Sequence, residues 1–146
     1  MCVWAGGDGG GGEGGGGHEG DAYGVCLHLE QSLALASAGY DKTVRVWDVD
    51  TLKEVRTFYG HTGSVTSLAY SAQGNLIISG SKDNSVRFWD IVSGLLVNSM
   101  DNVGEVTSLD VGGNGYHLLT ASKGTRMCSL TRMYSLTDAH TLNTWG

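Results

Sequence analysis

Apolar and polar residues alternate along this chain in short runs. "TVRVWDV" (43–49) alternates with period two through Val44 and Val46, and "NSVRFWDI" (84–91) does so again through Val86 and Phe88. A period of two predicts strands with one face turned to a core. The runs "AYGVCLHLE" and "LALASAGYD" precede the first of these segments, and "SVTSLAYS" and "NLIISG" precede the second. "EVRTF" and "LLVNSM" follow them in the same order. Gly, Asn, Asp and Ser clusters separate the runs, which is turn chemistry built without a single proline. No stretch between residues 18 and 130 carries the 3.6-residue period of a helix of useful length. The pattern predicts an all-β chain.

The order of runs is an internal repeat. His18 and His61 lie 43 residues apart, Asp41 and Asp83 lie 42 apart, and so do Trp47 and Trp89. Ser37 and Ser79 each stand four residues before the Asp of their unit. A period of about 40–45 residues, opening on Gly-His and closing on Trp-Asp, marks the blade of a propeller. On Gly17-His18 … Trp47-Asp48 and Gly60-His61 … Trp89-Asp90 the chain resembles the WD40-repeat family, over roughly residues 17–123.

That resemblance implies an all-β partial β-propeller of four-stranded antiparallel blades, two complete and one incomplete. The expected divisions are a Gly-rich disordered tail (1–17), a first blade (18–59), a second blade (60–100), a degenerate third blade (101–130) and an irregular tail (131–146). It also implies that the His before the first strand bonds the Ser of the second strand and the Asp of the following turn. The same Ser bonds the Trp indole. His18, Ser37, Asp41 and Trp47 would form one such network, and His61, Ser79, Asp83 and Trp89 the other. Every donor and hydroxyl in such a set has a partner, so it can be buried without orphaned groups.

A third unit starts near residue 101. "VTSL" recurs at 106–109, and "LLTASK" (118–123) follows "IISGSK" (77–82). Then Gly124 stands where Asp83 stood, and at the same offset Leu130 stands where Trp89 stood. Asn102 replaces the His, and only Thr120 keeps a hydroxyl in the Ser position. On this reading the third network is lost. The match breaks abruptly after Lys123, as a change of coding frame would break it.

Composition narrows the function. Nine basic and fifteen acidic residues give a formal charge of −6, and the basic residues form no block. That disfavours nucleic acid, whose binding rests on neutralising phosphates. The apolar runs are too short to cross a membrane as helices, and residues 1–17 have neither the basic start nor the apolar middle of a signal peptide. Ten of the twelve residues at 6–17 are glycine. Such a run loses maximal backbone entropy on ordering and has nothing to bury. It lacks the Lys-Ser/Thr end and preceding strand of a phosphate-binding loop. Cys2, Cys26 and Cys128 are three in number and far apart, with no metal-binding spacing. They read as free thiols in a reducing compartment, hence an intracellular chain, cytoplasmic or nuclear.

Ser, His and Asp together also raise nucleophilic catalysis. A catalytic set has no need to recur every 42 residues, so the repetition favours framework. His28, His117 and His140 remain outside the repeated set; His28 at a strand end and His117 before a strand read as surface residues, and His140 falls in the irregular tail. The expectation is therefore a non-catalytic scaffold for a protein partner, without metal or cofactor, and part of a larger propeller. A truncated product with no independent function is the alternative. The loop before the first strand and the turn before the third share one face of a blade. On it Asp21, Tyr23 and Tyr40 of the first blade, Ser64, Thr66 and Lys82 of the second, and Glu105 and Lys123 of the third are the candidates for partner contact. Tyr40 leads them, since Tyr is enriched in interface cores; the alternative is that its ring simply covers the turn. Blades bury apolar faces against their neighbours, so the open faces of a three-blade arc favour self-association or a partner.

Overall fold

A computed structural model describes residues 16–28, 34–102, 104–113, 115 and 117–124, together with the backbone of strands over 128–135 and 138–145. Among the described residues twelve strands form three four-stranded sheets, and no helix occurs. The first sheet runs β1 (Ala22–His28), β2 (Ala34–Gly39), β3 (Val44–Asp48), β4 (Glu54–Phe58). The second runs β5 (Val65–Tyr70), β6 (Leu76–Ser81), β7 (Ser85–Asp90), β8 (Leu96–Asp101). The third runs β9 (Val106–Val111), β10 (His117–Ser122), β11 (Cys128–Ser135), β12 (Asp138–Trp145). Each sheet keeps its strands in chain order with every pair antiparallel, the meander of a propeller blade.

The third sheet corrects two expectations. Residues 131–146 were expected to be irregular, yet 131–135 and 138–145 lie in the last two strands of a four-stranded sheet. Backbone N–H and C=O groups pair along a ladder whatever the side chains, so strand pairing survives loss of the Trp-Asp motif. Leu130 does not take the place of Trp89. In the second sheet Ile78 pairs with Phe88 and Ile77 with Trp89, whereas in the third Leu119 pairs with Leu130 and Leu118 with Thr131. The turn between β10 and β11 is one residue longer than its counterpart, which moves Leu130 into the Phe88 position. The expected disorder of 1–17 falls mostly outside the described residues; Gly16 and Gly17 are exposed, and the Gly16 carbonyl accepts from Arg45 at 2.8 Å.

Alternation along the strands decides which face meets which blade. Ala36, Ala38, Val44, Val46 and Phe58 of the first sheet pack on Val65, Leu68, Ile77 and Trp89 of the second. Ile78, Val86 and Phe88, from the opposite face of the second sheet, pack on Val106, Leu109 and Leu118 of the third. The second blade thus uses its Trp-bearing face against the first blade and its other face against the third. Hydrogen bonds stitch the same joints. Tyr70 donates its hydroxyl to the Ala34 carbonyl at 3.3 Å, and Leu109 N–H donates to Ser67 Oγ at 3.0 Å. Gly80 sits where a Cβ would lie 2.4 Å from Val106 Cγ1, so the second and third blades approach there at backbone distance.

Candidate functional site

The two expected networks form, and their atoms fix the direction of each bond. In the second blade His61 Nδ1 lies 2.8 Å from Asp83 Oδ2, and Nε2 lies 2.7 Å from Ser79 Oγ. Trp89 Nε1 donates to the same Ser79 Oγ at 2.8 Å. A carboxylate only accepts, so His61 Nδ1 carries the proton. Burial lowers the basicity of His61 more than the hydrogen bond to Asp83 raises it. The ring is then neutral, Nε2 is an acceptor, and Ser79 Oγ–H donates to it while receiving the indole N–H. The chain of donors runs Trp89 to Ser79 to His61 to Asp83, with every group satisfied. In the first blade His18 Nδ1 is 2.9 Å from Asp41 and Nε2 is 2.8 Å from Ser37, to which Trp47 donates at 2.8 Å.

Each Asp organises its loop as well as its His. Asp83 also accepts from Thr62 N–H at 2.9 Å, Ser85 N–H at 2.9 Å and Ser85 Oγ–H at 2.6 Å. Asp41 accepts from Glu19 N–H, Thr43 N–H and Thr43 Oγ1–H, and from Arg45 at 3.2 Å. Burial alone would raise both carboxyls. The hydrogen bonds from Ser85, His61 and Thr62 outweigh it at Asp83, which is held well below the ordinary carboxylate range. Those from His18, Thr43 and Glu19 lower Asp41 to about 2. Thr43 and Ser85 were missed among the network residues, although they recur at the same 42-residue spacing as the other members. The residue between Asp and hydroxyl, Lys42 or Asn84, takes a left-handed backbone with φ 67° or 65°, which lets the side chain of the Asp reach forward over the turn. The Asp of each Trp-Asp pair closes the next turn: Asp48 accepts from Thr51 N–H at 2.7 Å and Asp90 from Ser93 N–H at 2.6 Å, bonds that lower both carboxyls.

The third network is reduced rather than lost, which corrects the expectation. Asn102 donates to Ser122 Oγ at 2.6 Å and to the Gly104 carbonyl at 2.9 Å, and its own oxygen receives the Thr120 hydroxyl at 3.4 Å. A short amide spans loop and second strand where the imidazole does so in the other blades.

The face above the networks is built by one backbone bond made three times. Tyr40 N–H donates to the Asp21 carbonyl, Lys82 N–H to Ser64 and Lys123 N–H to Glu105. Tyr40, Lys82 and Lys123 therefore project from equivalent positions of successive blades. Tyr40 is 60% exposed, with one side of its ring on Gly20. Lys82 Nζ lies 5.3 Å above the centre of the Tyr23 ring, joining the first two blades, and Lys123 Nζ is 4.0 Å from Glu105. Asp21 is exposed beside them. Two candidates do not belong with these. Ser64 is buried, and Thr66 lies at a strand irregularity where its hydroxyl reaches the Gly80 carbonyl and the Val106 carbonyl of the next blade. The Thr66 hydroxyl holds two blades together, and the Ser64 side chain is not offered to solvent.

Of the remaining polar candidates, His28 ends β1 with its ring 5.1 Å from Tyr70, edge to face. Cys26 is unbonded, and burial raises its thiol to about 12. Cys2 lies outside the described residues, and only the backbone of Cys128 is described. Among the described residues no group of three or more His, Cys, Asp or Glu is placed to hold a metal ion.

Comparison with known proteins agrees with this architecture. The family model "WD domain, G-beta repeat" matches residues 15–48 and 52–90, together half of the chain. The CCR4-associated factor 4 homolog of Candida glabrata is 42% identical over 83 residues, 50% of this chain and 14% of that protein. The small ribosomal subunit protein RACK1 of Neurospora crassa is 32% identical over 92 residues, 63% of this chain and 29% of that protein. Human WD repeat-containing protein 36 is 39% identical over 74 residues, 51% of this chain and 8% of that protein. The chain thus spans only a small part of the length of these relatives. A chain in the crystal structure of the mitotic checkpoint complex superposes on 88% of this chain with a TM-score of 0.77 at 25% identity, and 40% of that chain is covered. By its repeats, its networks and these matches, the chain belongs to the WD40 family.

Proposed function

We propose that this chain is a non-catalytic scaffold that holds a protein partner on the face carrying Asp21, Tyr23, Tyr40, Lys82, Glu105 and Lys123. One observation carries the reading. The His, Ser and Asp side chains that catalysis would need are bonded into networks that recur blade by blade, while the face above them repeats exposed side chains at one backbone position in all three. The exposed Tyr40 supplies a large, stiff contact surface, and Lys82 and Lys123 add charge at the same position of the next two blades. The formal charge of −6 favours a protein partner over nucleic acid. The names of the relatives also support the reading, since RACK1 is a ribosomal subunit protein and the structural neighbour was solved within a complex.

Quantitative co-purification from cells tests it, comparing the native sequence with Tyr40→Ala and with Lys82→Glu/Lys123→Glu. The expected result is a shared loss of specific partners while urea unfolding stays within about 1 kcal/mol of the parent, the scale of the exposed Lys82–Tyr23 and Lys123–Glu105 contacts that are removed. Retention of every partner by both variants would refute the assignment of this face.

A further inference from the structure

Arg45 and Arg87 hold the same place in the first two blades, each paired with the network Ser across the sheet. Their partners differ. Arg45 Nη1 donates to Glu54 Oε2 at 2.9 Å and to the Gly16 carbonyl at 2.8 Å, and Nη2 donates to Asp41 Oδ2 at 3.2 Å. In the second blade the position of Glu54, opposite the Trp, is held by Leu96. Arg87 keeps one long bond, from Nε to Ser85 Oγ at 3.4 Å, and makes no ion pair among the described residues. Its Nη1 lies beside Gly60, 2.6 Å from where a Cβ would stand. A second guanidinium enters the same joint from the first blade. Arg56 stands two residues before Phe58, and Arg87 two residues before Trp89. Alternation sets them on the Phe58 and Trp89 faces, which meet with the two rings 5.5 Å apart. Arg56 Nη2 donates to the Val92 carbonyl of the second blade at 3.2 Å and has no carboxylate partner among the described residues. Both arginines are half-buried, and beside them on the outer rim Tyr59 is 74% exposed and Leu96 44%.

We infer that the outer groove between the first and second blades binds an acidic, extended segment of a protein partner. One carboxylate of the segment takes on Arg87 the place that Glu54 takes on Arg45, a second acid meets Arg56, and apolar side chains lie against Tyr59 and Leu96. The first blade supplies the chemistry, since the same guanidinium slot there is filled by a carboxylate. A guanidinium fork suits that group, and one partly withdrawn from water gains from being paired. The groove does not involve Tyr40, Lys82 or Lys123, so it stands apart from the partner face proposed above.

Selection of a phage-displayed random peptide library on the 146-residue chain tests it. The leading binders are then made as labelled peptides, and fluorescence anisotropy measures their affinity for the native chain and for Arg87→Gln, Arg56→Gln, Leu96→Glu and Tyr40→Ala. Urea unfolding verifies that each variant is folded. Should Arg87→Gln fail to fold, Leu96→Glu carries the test, because it leaves Arg87 in place. The selected peptides are expected to be enriched in Asp and Glu beside apolar residues, and to bind more weakly as salt rises. Arg87→Gln is expected to weaken them about tenfold or more, the scale of a lost charge-assisted hydrogen bond. Leu96→Glu is the decisive arm. It recreates within the second blade the pair that Glu54 makes with Arg45, so it is expected to match the loss of Arg87→Gln without lowering the unfolding midpoint. Arg56→Gln is expected to cost less, since a carbonyl already takes part of its bonding, and Tyr40→Ala to cost nothing. A library without binders, binders not enriched in acids, acidic binders indifferent to Arg87→Gln and Leu96→Glu, or binders lost with Tyr40→Ala would each overturn the inference.

Discussion

Replacing Asp83 by Ala removes the acceptor for four donors: His61 Nδ1–H, Thr62 N–H, Ser85 N–H and Ser85 Oγ–H. The four do not lose equally. Thr62 is exposed, and its N–H can turn to water. Ser85 Oγ already lies 3.2 Å from His61 Nδ1 and can accept part of that bond. What remains is roughly one buried donor without a full partner, in a pocket where the His61 side chain is 1% exposed. An unsatisfied buried donor costs about 1–3 kcal/mol. With a urea slope of about 1–3 kcal/mol per molar, the unfolding midpoint should fall by about 1 M with the slope unchanged. Glu105→Ala is the control, because its carboxylate meets Lys123 in solvent at 4.0 Å and such pairs are worth about 1 kcal/mol or less. Equal midpoints for Asp83→Ala and Glu105→Ala would refute the claim that the Asp83 network holds the blade.

Four further outcomes follow from the same geometry. Acidification should destabilise in two stages: His61 has a folded pKa below its unfolded value, so its contribution is full above about pH 6.5 and falls below it, while the depressed Asp83 and Asp41 lose theirs as pH drops below the ordinary carboxylate range towards about 2; urea midpoints from pH 8 to pH 3 measure this, and a flat profile contradicts it. Gly80→Ala should cost about 1–3 kcal/mol, because the new methyl meets Val106 Cγ1 at 2.4 Å and Leu109 Cδ2 at 2.9 Å between blades; thermal unfolding reads the loss. Leu52→Gly should stabilise slightly, by up to about 1 kcal/mol, since Leu52 is exposed at φ 56° where the equivalent Gly94 has φ 77° and a left-handed residue other than Gly costs about 1–2 kcal/mol; a rise in midpoint checks it. Asn102→Ala should cost about 1 kcal/mol, less than Asp83→Ala, because a smaller neutral network is broken; the two urea curves side by side decide the ranking.

The polar networks were legible in the sequence because their chemistry leaves few substitutes. A buried indole needs an acceptor, a buried imidazole needs two partners, and the spacing repeats. Thr43 and Ser85 repeat as faithfully, but hydroxyl residues after an Asp are common in turns, and nothing in composition marks these as reaching back to a carboxylate. The third blade was misjudged for a different reason. Its strands are held by main-chain pairing, which side-chain motifs do not record, and one extra turn residue displaced Leu130 from the position that its offset suggested. Thr66 was read as facing a partner because its loop faces that way. The register shift between Val65 and Ser67 turns its side chain toward the next blade instead. Tyr40, Lys82 and Lys123 share one face because that depends on loop order alone, which antiparallel strands in sequence fix directly.

The direction of each bond in the network rests on the protonation of one ring. Long-range nitrogen–proton correlation spectra of labelled protein at pH 7 report which nitrogen of His61 carries hydrogen. A neutral ring protonated at Nδ1 is expected, with Nε2 receiving the Ser79 hydroxyl and the Trp89 indole proton slow to exchange. A ring protonated at Nε2 alone, or at both nitrogens, would contradict the order of donors from Trp89 through Ser79 and His61 to Asp83.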